Sequence, residues 1–311
     1  MNTSFDPSSF DPFAGLSFLG LNFKNPIVTA SGTFNFGREY AHLYDLSELG
    51  GLTTKGTSLH PRAGNPTPRV AETPAGMLNA IGLENKGVEH YVTDELPWLR
   101  ESFDTKVIVN VFGETPAEFA AVASRLGRWP HLLELNLSCP NVHGGALPFA
   151  SDPKATEAVV RAVKDATDLP VIVKLSPNTD HLRTAQAAEA AGANGFSLIN
   201  TILAAKIDTR TGRSALAYGT GGLSGPAVLP VAVRMVMQLA RATSLPILGM
   251  GGVAGADDAL QLAMAGATLV AVGTATFTNP IAPLEIARGL RDRLTAEGRS
   301  WGDVVGLALR P

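Results

Sequence analysis

A single cysteine in 311 residues leaves no partner for an internal disulfide. It also leaves this chain unable to hold an iron–sulfur cluster by itself, which takes about four thiolates. Metal-ligand spacing is missing too. The histidines at 42, 60, 90, 131, 143 and 181 form neither an H-x-x-x-H nor an H-x-H pair, and no acidic cluster accompanies them. No metal site is therefore expected. No stretch approaches the ~18 consecutive apolar residues of a membrane span. Lys and Arg (25) do not exceed Asp and Glu (28), so there is no basic field for nucleic acid or anionic lipid. The opening MNTSFDPSSFDPFAG has neither a basic n-region nor an apolar h-region, which argues against a secretory signal. Its repeated Ser-Phe-Asp-Pro reads as a flexible arm over residues 1–14, ahead of one domain at 15–311. The expectation is a cytoplasmic protein.

What the chain does have is alternation. Short β-branched runs occur at 25–32, 50–59, 106–113, 132–140, 170–177, 195–202, 246–252 and 269–275, each ending in a polar or glycine-rich cluster. Helical patterns separate most of them. Two carry a start signal of cap plus proline, Thr115–Pro116 and Asp152–Pro153. An alanine-rich pattern closes on Gly192, further patterns follow strands six and seven, and a last helix is expected over roughly 281–296. Strands buried on both faces and separated by helices imply a parallel sheet. Eight such units predict an α/β fold, a (β/α)8 TIM barrel, as a single domain. A doubly wound open sheet is the alternative, but ASGTFNFG rather than GxGxxG follows the first strand. Long loops are expected after strands 2 (56–85), 4 and 6 (203–225), on the side where barrel enzymes place their active sites.

A barrel gathers its strand ends at one mouth. Those ends carry Ser31, Lys55, Asn110, Asn136 with Cys139, Lys174, Asn200 with Thr201, Gly251 with Gly252, and Gly273 with Thr274. Amides, lysines and one thiol without a carboxylate pair suit a planar, anionic, amide-like substrate and an anionic cofactor. The glycines after strands seven and eight let backbone N–H groups approach a phosphate, or they mark only tight turns. GTGGLSG (219–225), read as lying just before a helix, offers further backbone donors. Lys55 and Lys174 lie within apolar strands, where an unpaired ammonium is costly. They either face anionic ligands or pair with a buried acid, for which Glu134 is nearby. Cys139 is either a small buried hydrophobe or a reactive thiol at the rim.

Taken together, LNLSCPNV, NAIGLENKG, INTI, GGLSGPA, GMGG and AVGTATF resemble class 1 dihydroorotate dehydrogenase, in order and from about residue 15 to the end. The resemblance implies an FMN-containing barrel that oxidises dihydroorotate to orotate in pyrimidine synthesis, one FMN per chain. It implies Cys139 as the base that takes the C5 proton while hydride leaves C6. Lys55, Asn79, Ala80, Ile81, Gly82, Leu83, Asn136, Asn141, Asn200 and Thr201 would hold the substrate. Ser31, Lys55, Gly56, Asn110, Asn136, Lys174 and Ile199 would hold the flavin ring and ribityl chain, with Gly225, Gly251, Gly252, Gly273 and Thr274 around the phosphate. NVHGGALPFASDP is similar to the heteromeric NAD-linked subclass, although Glu84 and Lys86 replace its more usual Gln and Pro. That subclass implies a homodimer, joined into a heterotetramer by a partner subunit carrying FAD and a [2Fe–2S] cluster. A dihydropyrimidine dehydrogenase-like flavin enzyme and a non-redox phosphate-binding barrel remain as alternatives.

Overall fold

Val and Ile dominate the chain's short apolar runs, and the structure buries those runs on both faces. The computed structural model describes residues 10–137 and 149–311. Eight parallel strands close into a barrel. They are β1 (Ile27–Thr29), β2 (Gly51–Thr53), β3 (Lys106–Val111), β4 (Leu132–Asn136), β5 (Val171–Lys174), β6 (Gly195–Leu198), β7 (Ile247–Met250) and β8 (Leu269–Val272). Neighbours in sequence are neighbours in space, and β8 closes on β1 through Val270–Ile27, Ala271–Val28 and Val272–Thr29. All eight expected strands exist, each shorter than its run.

The expected start signals act as capping physics requires. The Thr115 hydroxyl accepts the Glu118 N–H at 3.2 Å at the head of helix Pro116–Leu126. The Asp152 carboxylate accepts the Lys154 N–H at 2.9 Å before helix Pro153–Ala166. Proline costs nothing at either first turn because its missing N–H has no partner there. Helices His181–Ala190, Leu229–Ala240, Ala256–Met264 and Ala282–Glu297 complete the described outer ring after β5, β6, β7 and β8. Between β2 and β3 lies a helical stretch the sequence reading did not anticipate, Val88–His90 running through a π-helical turn at Tyr91–Glu95 into Leu96–Ser102. Pro97 sits in its middle, where it removes a ladder donor and widens the winding. The same proline hides the helix from periodicity.

Of the expected arm, residues 10–14 are described. Phe13 is buried edge-on against Trp301 at 6.2 Å, and the Trp301 N–H donates to the Pro12 carbonyl at 2.7 Å.

The largest departure concerns the two long connections, which build one element together. Val70–Thr73 and Gly76–Asn79 form a hairpin. Gly221–Ser224 pairs with its inner strand, and Ile202–Ala204 completes a four-stranded antiparallel sheet beside the barrel mouth. GTGGLSG is therefore largely a strand, and the following helix begins only after a 3-10 turn at Pro226–Val228.

At the other end of the barrel, His131 precedes β4. Its Nδ1 accepts the Val107 N–H at 2.9 Å, and the Arg100 guanidinium packs against the ring. Burial first, then the charges of Arg100 and Lys106, push its pKa from 6.5 to about 4. The folded chain thus keeps the ring neutral where the unfolded chain protonates it. This stability is fully present above pH 6.5 and is lost as pH falls toward 4. The ring is partly exposed, so solvent screening keeps the effect modest. His131→Gln is expected to flatten the decline in Tm between pH 7 and pH 4.5 (roughly the window between the two pKa values). Parallel Tm curves for the two proteins would exclude this role.

Candidate functional site

Inward-pointing residues at the C-terminal ends of the strands open into a cavity of about 1030 Å³. That lies at the upper end of the roughly 300–1,000 Å³ common for ligand sites, space for more than one small molecule. Most residues expected from sequence line it. Ser31, Lys55, Gly56, Asn110, Asn136, Lys174 and Ile199 lie on the barrel side, with Asn200 and Thr201 beyond β6. Asn79, Ile81, Gly82 and Leu83 enter from the hairpin and the segment after it, and Gly225, Gly251, Gly252, Gly273 and Thr274 close the far end.

Ala80 departs from the expectation. It is 1% exposed and packs with Leu78 and Leu216 under the four-stranded sheet. Its N–H already donates to the Arg69 carbonyl at 2.8 Å, and its carbonyl accepts Asn65 Nδ2 at 2.9 Å. Period-two alternation on the strand explains this: Asn79 faces the cavity, so its neighbour cannot. Cys139 and Asn141 lie outside the described residues, as do His143 and the loop expected after β4.

The polar floor is a connected group. Asn110, one residue before the end of β3, lies opposite Glu134 of β4, and Asn136 lies opposite Lys174 of β5, which in turn pairs with Ser197 of β6. Asn110 Nδ2 donates to Glu134 Oε1 at 2.6 Å, and Ser197 Oγ donates to Glu134 Oε2 at 2.6 Å. Lys174 Nζ stands 3.8 Å from Glu134 Oε1. The acid-pairing alternative raised for the strand lysines therefore holds for Lys174, and the sequence reading underrated Glu134. A carboxylate in the middle of an apolar strand was the signal. Asn110 Oδ1, by contrast, is buried without a partner among the described residues, beside Gly56. Such an orphan acceptor marks a place where a ligand donor completes the bonding.

Lys55 lies two residues past β2 rather than within it, half-buried, with its N–H bonded to the Asn35 carbonyl at 3.0 Å. Burial lowers its pKa, opposed by the Glu84 carboxylate and reinforced by Arg69. Glu84 and Arg69 pair at 2.8 Å. Above the cavity, Asn79 Nδ2 donates to the Gly222 carbonyl at 3.3 Å, and Asn200 Nδ2 to Asn136 Oδ1 at 3.4 Å. The first contact braces the antiparallel sheet internally, and the second joins the end of β6 to that of β4.

Glycine is favoured at one point and required at another. A Cβ on Gly56 would stand 3.1 Å from Asn110 Oδ1, inside the space a ligand atom would use. Gly252 has φ +82, and a Cβ there would meet the Leu229 backbone nitrogen at 2.7 Å. The tight-turn reading of GMGG is thus sufficient on packing grounds alone, and the bare backbone still faces the cavity.

A closed parallel barrel with a polar, cation-bearing cavity at its C-terminal mouth is the framework of a (β/α)8 enzyme. Residues 14–294 match the family model of dihydroorotate dehydrogenase, and the chain belongs to that family. It is 54% identical over 284 residues to the catalytic subunit of dihydroorotate dehydrogenase B (NAD(+)) of Bacillus pumilus, covering 90% of this chain and 91% of that one. The same-named subunits of Anoxybacillus flavithermus and Trichlorobacter lovleyi are each 51% identical, covering 91% and 92% of this chain and 95% of each relative. Among the described residues no group of His, Cys, Asp and Glu is arranged to hold a metal ion. No described helix is long and apolar enough to cross a membrane.

Proposed function

We propose that this chain oxidises dihydroorotate to orotate in pyrimidine synthesis, as the NAD-linked catalytic subunit named for its relatives, with one FMN bound in residues 15–311. The observation that carries the reading is the floor of the cavity. There an unpartnered Asn110 acceptor, two lysines and a side-chain-free backbone face one space. This donor and acceptor set fits a flavin mononucleotide, which needs polar groups along its ring, cationic relief for its reduced form and a phosphate cradle.

Asn110, Asn136, Lys174 and Ile199 would hold the ring and ribityl chain, with Ser31, Lys55 and Gly56. Gly225, Gly251, Gly252, Gly273 and Thr274 would surround the phosphate. When bound, FMN supplies the two-electron acceptor for the hydride leaving C6. The chain's own residues do the rest. Lys55 holds charge against the substrate carboxylate and the ring. Asn79, Asn136, Asn141, Asn200 and Thr201, with Ile81, Gly82 and Leu83, would grip the amide and carboxylate edges of the pyrimidine. Cys139 takes the C5 proton. Ala80 is left out of this set because both its backbone groups are already bonded.

Electrons then pass to NAD+ through a second subunit bearing FAD and a [2Fe–2S] cluster, two such subunits joining a homodimer of this chain in the cytoplasm. The lone cysteine supports that division, since the cluster's ligands must come from elsewhere. The test is turnover of the purified chain with an artificial acceptor, supplied separately with dihydroorotate and dihydrouracil. Oxidation of dihydroorotate alone is expected. Turnover of dihydrouracil alone would replace this reading by the dihydropyrimidine dehydrogenase-like one. A colourless protein that takes up no added FMN would point to the non-redox barrel.

A further inference from the structure

Glu134 is fully buried, yet it lies on a strand whose neighbours are leucines. A carboxylate costs several kcal/mol to bury unless its lone pairs are filled. Here each oxygen accepts one hydrogen bond, from Asn110 of β3 and Ser197 of β6 at 2.6 Å each, and the Lys174 ammonium of β5 adds its charge at 3.8 Å. We propose that Glu134 is a positioning residue for the cofactor pocket, fixing which face of the Asn110 amide and how much of the Lys174 charge the bound flavin meets. This rests on the flavin reading above.

The argument is one of donor and acceptor identity. An ionised carboxylate has no hydrogen to give, so only the NH2 end of Asn110 can face it. Asn110 Oδ1 is thereby turned away, beside Gly56 on the cavity wall, as an acceptor with no partner among the described residues, open to a ligand N–H. The same carboxylate holds the Lys174 ammonium at the cavity floor and offsets its charge. Substituting glutamine keeps the shape and reverses both effects. The amide can donate to Asn110, allowing its side chain to flip and present NH2 to the cavity. Lys174 then loses its counter-charge, and a reduced, anionic flavin above it is favoured.

The experiment compares the purified flavoprotein with its Glu134→Gln and Ser197→Ala variants, reading FMN dissociation by fluorescence and the flavin midpoint potential by dye titration. Glu134→Gln is expected to weaken FMN binding roughly ten- to a hundredfold, in keeping with a lost buried charged hydrogen bond, and to move the potential upward. Ser197→Ala removes one tether but keeps the charge, so FMN weakens by about threefold or more and the potential stays. Wild-type affinity and potential in Glu134→Gln would overturn the inference. Weakened binding with an unmoved potential would also overturn it, because a merely structural role predicts that result. Should Glu134→Gln fail to fold, Glu134→Asp keeps the charge but withdraws it by one methylene: a midpoint potential moved upward supports the proposal, and an unmoved potential overturns it. A wild-type protein with no affinity for FMN would instead remove the flavin reading itself.

Discussion

Cys139→Ala is expected to leave FMN bound while slowing flavin reduction by dihydroorotate by about 10²–10⁴-fold, the range that a positioned general base contributes. A thiol with an ordinary pKa near 8.5 is only a few per cent thiolate at pH 7. As the thiolate is the base, the wild-type reductive half-reaction should speed up as pH rises, and the alanine variant should lose this dependence. Stopped-flow mixing of oxidised enzyme with dihydroorotate under anaerobic conditions reads both effects. Equal reduction rates in the two proteins would remove Cys139 from the chemistry.

Lys174→Ala has the largest expected effect on stability. Lys174 is 6% exposed and Glu134 0%, so truncation leaves a buried carboxylate without its cation. Breaking one side of a buried pair costs about 3–5 kcal/mol, which corresponds to a fall in Tm of roughly 10 °C for a chain of this size. FMN retention should fall with it. Lys174→Met combined with Glu134→Gln removes both charges at similar volume and should cost less than Lys174→Ala alone. Thermal unfolding of the three variants decides the matter. A loss below about 1 kcal/mol in Lys174→Ala, the level of an exposed pair, would mean that the ammonium already reaches solvent.

The barrel was legible because its strands are short, β-branched and bounded by turn residues, and because parallel neighbours follow one another in sequence. Strand-end identity then placed Asn110, Asn136 and Lys174 at one mouth without any knowledge of contacts. The antiparallel sheet was not legible. Its pairing of Gly222 with Asn79 joins positions 143 residues apart, and no local periodicity encodes such a partner. Lys55 read as a strand residue because the run at 50–59 continues past Thr53, where the ladder ends, with only a lone bridge of Thr57 to Val111 beyond it. Ala80 was carried over with its neighbours as a block, although alternation along Gly76–Asn79 already separated it from Asn79. Glu134 was seen only as a possible counter-ion, since its two hydrogen bonds and its ion pair come from three different strands and exist only once the barrel closes.

The central claim is spatial: one cavity holds the flavin, the pyrimidine and the thiol in line. A crystal structure of the protein with FMN and orotate tests it most directly. The account predicts the flavin phosphate among Gly251, Gly252 and Gly273, orotate between ring and loop, and the Cys139 sulfur about 3–3.5 Å from orotate C5, the separation of reacting atoms poised for transfer. A sulfur turned into the aliphatic core, or a flavin bound away from Asn110 and Lys174, would contradict it.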